Sequence, residues 1–509
     1  MATNCSDHYP IAISVYCSFT KAENKKEVKY YTPRIKWDKI DKVEYAAMIT
    51  QNLHDLKFTD FKDPASFSYL SWKSLKPKKL NSKPKLRVWN KDISEALQLL
   101  WKSYKVWNAG GRPREPNYPR FCTMKLHKML FRSKCRIERA RRKKLEQVEI
   151  LNTRFKDPKL FNKLVNKQKC KSSDDLDSLH VNGVEYSGTA SVIDGFYEHF
   201  QTLAVESEAE NFDSEYHKMV EEEIIQIQEI VSDKKVNPVS MCELKNAICS
   251  INVGKATDFY DLSIKSIKFG GEDLHVMLLQ IINFIFDKGD IPSVLKIGVL
   301  SPVYKNKGSC NDVSNYRGIT VLPVIVKIIE SILKQRIAPL IDICQSPYQR
   351  GFTKNTSPLH AAIIVEEIAR NSKDDNIPID FIFLDAKSAF DVVSHDHLLR
   401  RMYQIGIQDK HWALLKSLHE ETSSVVKWHN RVTEVFNVKQ GVRQGGVLSA
   451  DLYKVYVNPL LKTLEATEIG SSIGTVRCNA STCADDITLN SSLTDHTHVL
   501  TAQCSNMER

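Results

Sequence analysis

Apolar residues recur at helical spacing over Tyr45–Leu56 and Ile93–Trp107, and the turn Ala109–Pro113, with its Gly110-Gly111 pair, ends the second run. Between them Lys76–Lys85 is rich in Pro and Lys and reads as a connector. Leu160–Cys170 and Gly195–Leu203 predict short helices, the second bearing Phe196, Tyr197 and Phe200 at core spacing. Past an acidic stretch, Glu206–Glu223, the pattern becomes denser. Ser240–Ile251 is amphipathic, Leu274–Asp287 is an apolar helix, Ile297–Tyr304 is a strand, and its return strand holds Asn315–Ile319. Val324–Ile337 predicts a further helix whose apolar run is interrupted by Lys327 and Glu330, so it packs and does not span a membrane.

The densest pattern is Asp380–Val393, DFIFLDAKSAFDVV. A strand-like run, Phe381–Leu384, ends on Asp385, and six residues on comes Asp391. An ionised carboxylate at the edge of a core is costly unless it is paired, and a bound cation removes that cost. Ser394 caps a predicted helix His395–Ile405 with Asp396 in its first turn, and Ser423–Val438 predicts a hairpin around Asn430-Arg431. A strand-like segment then runs into Gln440-Gly441-Val442-Arg443-Gln444-Gly445-Gly446, followed by Ser449 as N-cap of a helix with Leu452, Tyr453, Tyr456, Val457 and Leu460. Its glycines permit close backbone approach to a base pair or sugar, and Gln444 is placed to hydrogen-bond template or nucleotide; a plain strand-to-helix turn is the bland reading. Thr482–Leu489 sets Asp485-Asp486 in an apolar hairpin, either a solvated turn or, with Asp385, a two-metal site of the kind that transfers nucleotides.

LDAKSAFD, GVRQGGVLS and CADD, in that order, resemble the A, B and C motifs of reverse transcriptases of non-LTR (LINE-type, jockey- or chicken-repeat-like) retrotransposons. The resemblance extends upstream through Gln349-Arg350-Gly351-Phe352, Lys305–Leu322 and Gly254-Lys255-Ala256. It implies an α+β fold, the fingers and ferredoxin-like split β-α-β palm of a right-hand polymerase without its thumb, after a mostly helical linker region. It implies RNA-directed DNA polymerase activity on an RNA template and DNA primer with deoxynucleoside triphosphates. Asp385, Asp485 and Asp486 would bind two Mg²⁺, or Mn²⁺, and carry catalysis. Lys305 and Arg317 would hold the triphosphate, Phe390 would exclude a ribose 2′-hydroxyl, and Gln444 and Gly445 would contact the nascent pair. Two departures stand out: Cys483 replaces the commoner aromatic residue before Ala-Asp-Asp, and Asp258, Tyr260 and Asp261 occupy positions where the family has Gly, Asp and Gly.

Composition adds a partner. A chain of 509 residues, 42% hydrophobic and 26% charged, is globular and long enough for several cores, and its net charge of +11 suits a polyanion. Lys125–Lys144 concentrates that charge in Arg136, Arg139, Arg141, Arg142, Lys143 and Lys144: a solvated helix face, an RNA-binding face or a nuclear import signal. The twelve cysteines form no CxxC pair, and no stretch approaches a membrane span, which suits a nuclear or cytoplasmic protein. Ser6-Asp7-His8 resembles the closing motif of the apurinic-type endonuclease that precedes the polymerase in these elements, so an open reading frame clipped at both ends is expected. The expected domains are an endonuclease remnant (1–20), a helical basic linker (21–205) and the polymerase (206–509, core motifs 254–490). The alternative is a catalytically inactive nucleic-acid-binding fragment.

Overall fold

The computed structural model describes residues 37, 40–55, 89–168 (save 114, 116 and 155), 176–205 and 214–507 (save 430). Asp7, His8 and the 76–85 connector lie outside them. Contacts divide the chain into two units, 78–175 and the remainder, so the boundary expected at 205/206 moves. The reason is packing: α1 (Lys42–Asp55) buries Tyr45 and Ile49 in the main core, and residues 176–205 share a core with the strands that follow.

The smaller unit is helical: α2 (Lys91–Ala109), α3 (Pro119–Thr153) and α4 (Pro158–Gln168). Asn90 caps α2 by accepting from the Ile93 amide, and the 110–113 turn takes the Trp107 indole N–H on the Pro113 carbonyl at 2.9 Å. All six predicted basic residues are exposed on α3, where Arg142 pairs with Glu146 and Arg141 with Glu138.

The larger unit adds a hairpin that the periodicity did not reveal, β1 (Ser178–Val181) and β2 (Val184–Ser187), then α5 (Thr189–Leu203), α6 (Ser214–Ser232) and α7 (Met241–Ser250). Strands of four residues around Asn182-Gly183 are too short to register as alternation. In α7 the Ser240 and Glu243 side chains cap each other's backbone N–H reciprocally, which fixes its start. After α8 (Ile264–Lys268) and α9 (Glu272–Lys288), β3 (Ile297–Tyr304) and β4 (Tyr316–Val321) pair antiparallel, Val303 opposite Arg317. Helix α10 (Val324–Cys344) runs seven residues past Ile337 with Pro339 inside, and buries Ile328, Ile329, Ile332 and Leu333 completely.

Beyond α11 (Pro358–Asp374) come β5 (Asp380–Asp385), α12 (His395–Gln404), α13 (Lys410–His419), β6 (Thr422–Trp428), β7 (Arg431–Val438) and α14 (Ser449–Ala466). The short pair β8 (Ser472–Ile473) and β9 (Val476–Arg477) precedes β10 (Ala480–Cys483), β11 (Asp486–Ser491) and α15 (Thr494–Met507). Two sheets organise this unit, ordered β4-β3-β6-β7 and β10-β11-β5. The predicted 423–438 hairpin forms, but joins β3 in parallel and not the sheet of β5. Ser449 is the first helical residue of α14 and not its cap; its hydroxyl instead donates to the Arg443 carbonyl at 2.6 Å. Ser394 sits at the cap position of α12 without making a side-chain cap bond.

Candidate active site

Strand pairing brings the acids together. β5 and β11 are antiparallel with Asp385 directly opposite Asp486, and β10 reaches β11 through a two-residue turn, Ala484-Asp485. Facing residues on neighbouring strands have their Cβ atoms about 5 Å apart, so three carboxylates from two segments a hundred positions apart share one sheet end. Burial raises the Asp486 carboxyl, and the charges of Asp485 and Asp385, of its own sign, raise it further. Among the described residues, the three metal-type side chains whose ligand atoms all lie within 4.8 Å of one another are elsewhere, at His217 and Glu221 of α6 and Asp396 of α12. The aspartates stand looser than that. An all-oxygen set of converging like charges nevertheless fits a hard divalent cation such as Mg²⁺ better than a thiolate-seeking one.

Asp391 does not join this cluster. Its two oxygens accept from the Gln444 amide at 3.2 and 3.3 Å, and burial pushes its carboxyl up to about 6, against the lowering influence of that bond and of Lys305. Gln444, expected at the template or nucleotide, thus has a protein partner that orients it, while its backbone carbonyl accepts from the Thr320 amide at 2.8 Å. Gly445 has a protein reason too: φ is +128°, and a Cβ there would meet the Thr320 carbonyl oxygen at 2.3 Å. The backbone this glycine admits is that of β4. Beneath the loop, Arg443 donates to the Lys296 carbonyl and Glu330 accepts from the Val447 amide, and burial pulls the arginine down to about 10 and pushes the glutamate up to about 7. In the sequence Glu330 is only an interruption of an apolar helix; nothing in its neighbours signals a loop 117 residues away.

Phe390 stacks on Tyr453 of α14 (centroids 4.8 Å, 16°) and meets Phe352 edge-on at 6.0 Å, half-buried against the main core. Lys305 and Arg317 are exposed at the β3–β4 hairpin, Lys305 Nζ donating to the Ser314 carbonyl at 2.8 Å. Gln440 caps the end of α5, donating to the carbonyls of Leu203 and Val205.

The departing loop is built into the packing. Asp258 accepts from the amides of Tyr260 (3.0 Å), Leu262 (2.8 Å) and Val324 (2.9 Å), so it both closes its own turn and caps α10. Asp261 holds the left-handed conformation (φ +60°) that a glycine would take without strain. Tyr260 is buried with its hydroxyl donating to the Val294 carbonyl.

Comparison with known proteins gives one family match, reverse transcriptase (RNA-dependent DNA polymerase), over residues 304–507. The chain is 26% identical over 239 residues to the RNA-directed DNA polymerase from mobile element jockey of Drosophila melanogaster, covering 46% of this chain and 26% of that protein. It is 26% identical over 184 residues to the Pol polyprotein from type-1 retrotransposable element R2 of Popillia japonica (36% and 26%). It is 23% identical over 265 residues to an uncharacterized 149 kDa protein of transposon TX1 from Xenopus laevis (52% and 20%). The chain thus spans about a quarter or less of the length of these relatives. No described helix is long and apolar enough to cross a membrane.

Proposed function

Because the chain carries a reverse transcriptase domain of the non-LTR retrotransposon type, we propose that it extends a DNA primer on an RNA template from deoxynucleoside triphosphates. The observation that carries this reading is the strand register that sets Asp385 against Asp486, with Asp485 in the adjoining turn, inside the matched residues. These three aspartates would hold two Mg²⁺, with Mn²⁺ a substitute; when bound, the ions lower the pKa of the primer hydroxyl and neutralise the departing pyrophosphate.

The protein's own side chains do the positioning. Lys305, a point charge, and Arg317, a bidentate fork, bind the triphosphate from an exposed hairpin. Phe390, held flat by Tyr453, opposes a ribose 2′-hydroxyl. Gln444, its amide oriented by Asp391, and Gly445 face the nascent pair. The β10-β11-β5 sheet acts as palm and the β4-β3-β6-β7 sheet as part of the fingers. Arg136, Arg139, Arg141, Arg142, Lys143 and Lys144 bind the RNA backbone through charge. Such a protein works in the nucleus or cytoplasm.

The test is primer extension on RNA with Mg²⁺ and deoxynucleotides, beside Asp485→Ala. Extension by the unaltered protein that is lost in the variant is expected. Extension that survives Asp485→Ala refutes the assignment of the metal site, and salt-sensitive RNA binding without extension by either protein favours a non-catalytic binding role.

A further inference from the structure

We propose that Gln349 is the positioning residue for the Ala484-Asp485 turn that carries Asp485 and leads into Asp486, holding it through paired hydrogen bonds between its side-chain amide and the backbone of Ala484. The proposal rests on reading these aspartates as the metal ligands, and goes beyond it by naming what fixes their place.

The turn cannot specify itself. In a two-residue hairpin loop, a positive φ at the first central residue favours glycine there; this loop is Ala484-Asp485, with Ala484 at φ +62° in that place. For an alanine that conformation is unfavourable by about 1–2 kcal/mol, so something outside the hairpin must impose it. Gln349 is 1% exposed, and its side-chain oxygen accepts from the amides of Ala484 and Gly351, both at 2.8 Å. Its side-chain nitrogen donates to the Ala484 carbonyl at 3.1 Å. One planar amide thereby grips the peptide groups on both sides of the strained residue. The grip needs a donor and an acceptor on two neighbouring atoms of one planar group, which a carboxamide supplies, and asparagine is one methylene short.

The grip has a rigid base. Gln349 bridges Thr482 in parallel, with the Arg350 amide donating to the Thr482 carbonyl (2.8 Å) and the Thr482 amide to the Tyr348 carbonyl (3.2 Å). Residues 348–350 therefore run as a rail along β10. Gly351 makes the contact possible, since a Cβ there would meet the Ala484 nitrogen at 2.1 Å. Behind the rail, Thr353 Oγ1 donates to the Gln349 carbonyl (3.0 Å) and accepts from Gln345 Nε2 (2.7 Å) at the end of α10. The longest described helix of the larger unit is in this way tied to the acid-bearing turn.

The experiment compares the full chain with Gln349→Met, which keeps length and removes both hydrogen-bonding atoms, and Gln349→Glu, which keeps the acceptor, loses the donor and adds a negative charge. Hydrogen exchange of the 480–487 peptide and Mn²⁺ affinity by electron paramagnetic resonance are read together, with Asp485→Ala as the blank for the metal. Gln349→Met should exchange at least tenfold faster across 480–487, with α9 and α10 unchanged, and bind Mn²⁺ at least tenfold more weakly. Gln349→Glu should show intermediate exchange, and it carries the test if the methionine variant does not fold. Exchange and Mn²⁺ affinity both equal to wild type would overturn the role of Gln349 and leave the metal site standing. Wild-type Mn²⁺ binding that is indifferent to Asp485→Ala would overturn the metal reading and this proposal with it.

Discussion

Replacing Asp258 with Gly restores the residue that the family pattern has there, and should nevertheless destabilise the protein. The substitution removes the acceptor of three backbone N–H groups, those of Tyr260, Leu262 and Val324. With the side chain only 5% exposed, little water can replace it. At about 2 kcal/mol for each stranded donor, the gross loss is roughly 6 kcal/mol. Against this stands the charge. Burial pushes the Asp258 carboxyl from 3.8 to about 6. An upward move of about two pH units corresponds to roughly 3 kcal/mol of destabilisation above pH 6. Added freedom of the unfolded chain at glycine costs about 1 kcal/mol more, so the net loss at pH 7.5 is roughly 3–4 kcal/mol. The pH dependence gives a sharper test. With the folded pKa raised, the folded state holds the proton more tightly than the unfolded chain, and the stability contributed is fully present below about pH 4 and declines as pH rises through 6. Acidification from pH 7.5 to 5 should therefore widen the gap between wild type and Asp258→Gly by about 1 kcal/mol. Denaturant unfolding at the two pH values measures it. Asp258→Asn, uncharged but presenting an N–H₂ to the Val324 amide, should fall between the two proteins and show no such trend. A gap that narrows on acidification would mean that the three donors favour the ionised form more than burial disfavours it, and would refute the reasoning.

Gly445→Ala should disrupt the junction of loop and β4, since its Cβ would lie 2.3 Å from the Thr320 carbonyl oxygen at φ +128°; loss of about 3 kcal/mol or more is expected in the same unfolding assay. If the proposed polymerase reading holds, Phe390→Val should raise ribonucleotide incorporation in the primer-extension assay, while removing the stack on Tyr453; unchanged discrimination would make Phe390 a packing residue only. Neutralising Arg136, Arg139 and Lys143 together should weaken RNA binding evenly across sequences and reduce the slope of log affinity against log salt by roughly 2, about 0.7 for each contact to single-stranded RNA; an unchanged slope would leave these residues a solvated helix face.

What the sequence could disclose followed from range. Periodicity located α1, α2, α9, α10 and α14 and the β3–β4, β6–β7 and β10–β11 hairpins, each decided by residues near one another in the chain, but it did not mark out α6 or α11. The β5 strand and the Asp485-Asp486 hairpin were legible as pieces, and the resemblance supplied the expectation that they meet; nothing in either segment states that Asp385 pairs with Asp486. Sheet membership was not legible at all. The 422–438 hairpin alternates like any half-buried hairpin, and only the parallel match of Val299 and Leu300 with Val425 and Val426 commits it to β3. Polar residues were the hardest case. Asp258 reads as a lost glycine, Glu330 as a flaw in an apolar helix, Gln349 as part of a short motif and Gln444 as a hand held out to nucleic acid. Each also satisfies backbone or side-chain groups supplied by a distant segment. A buried polar side chain is stable only when such partners are in place, and the partners are the product of the fold. The residues that fix the aspartate-bearing turn and the loop beside it are therefore those whose purpose a linear reading is least able to supply.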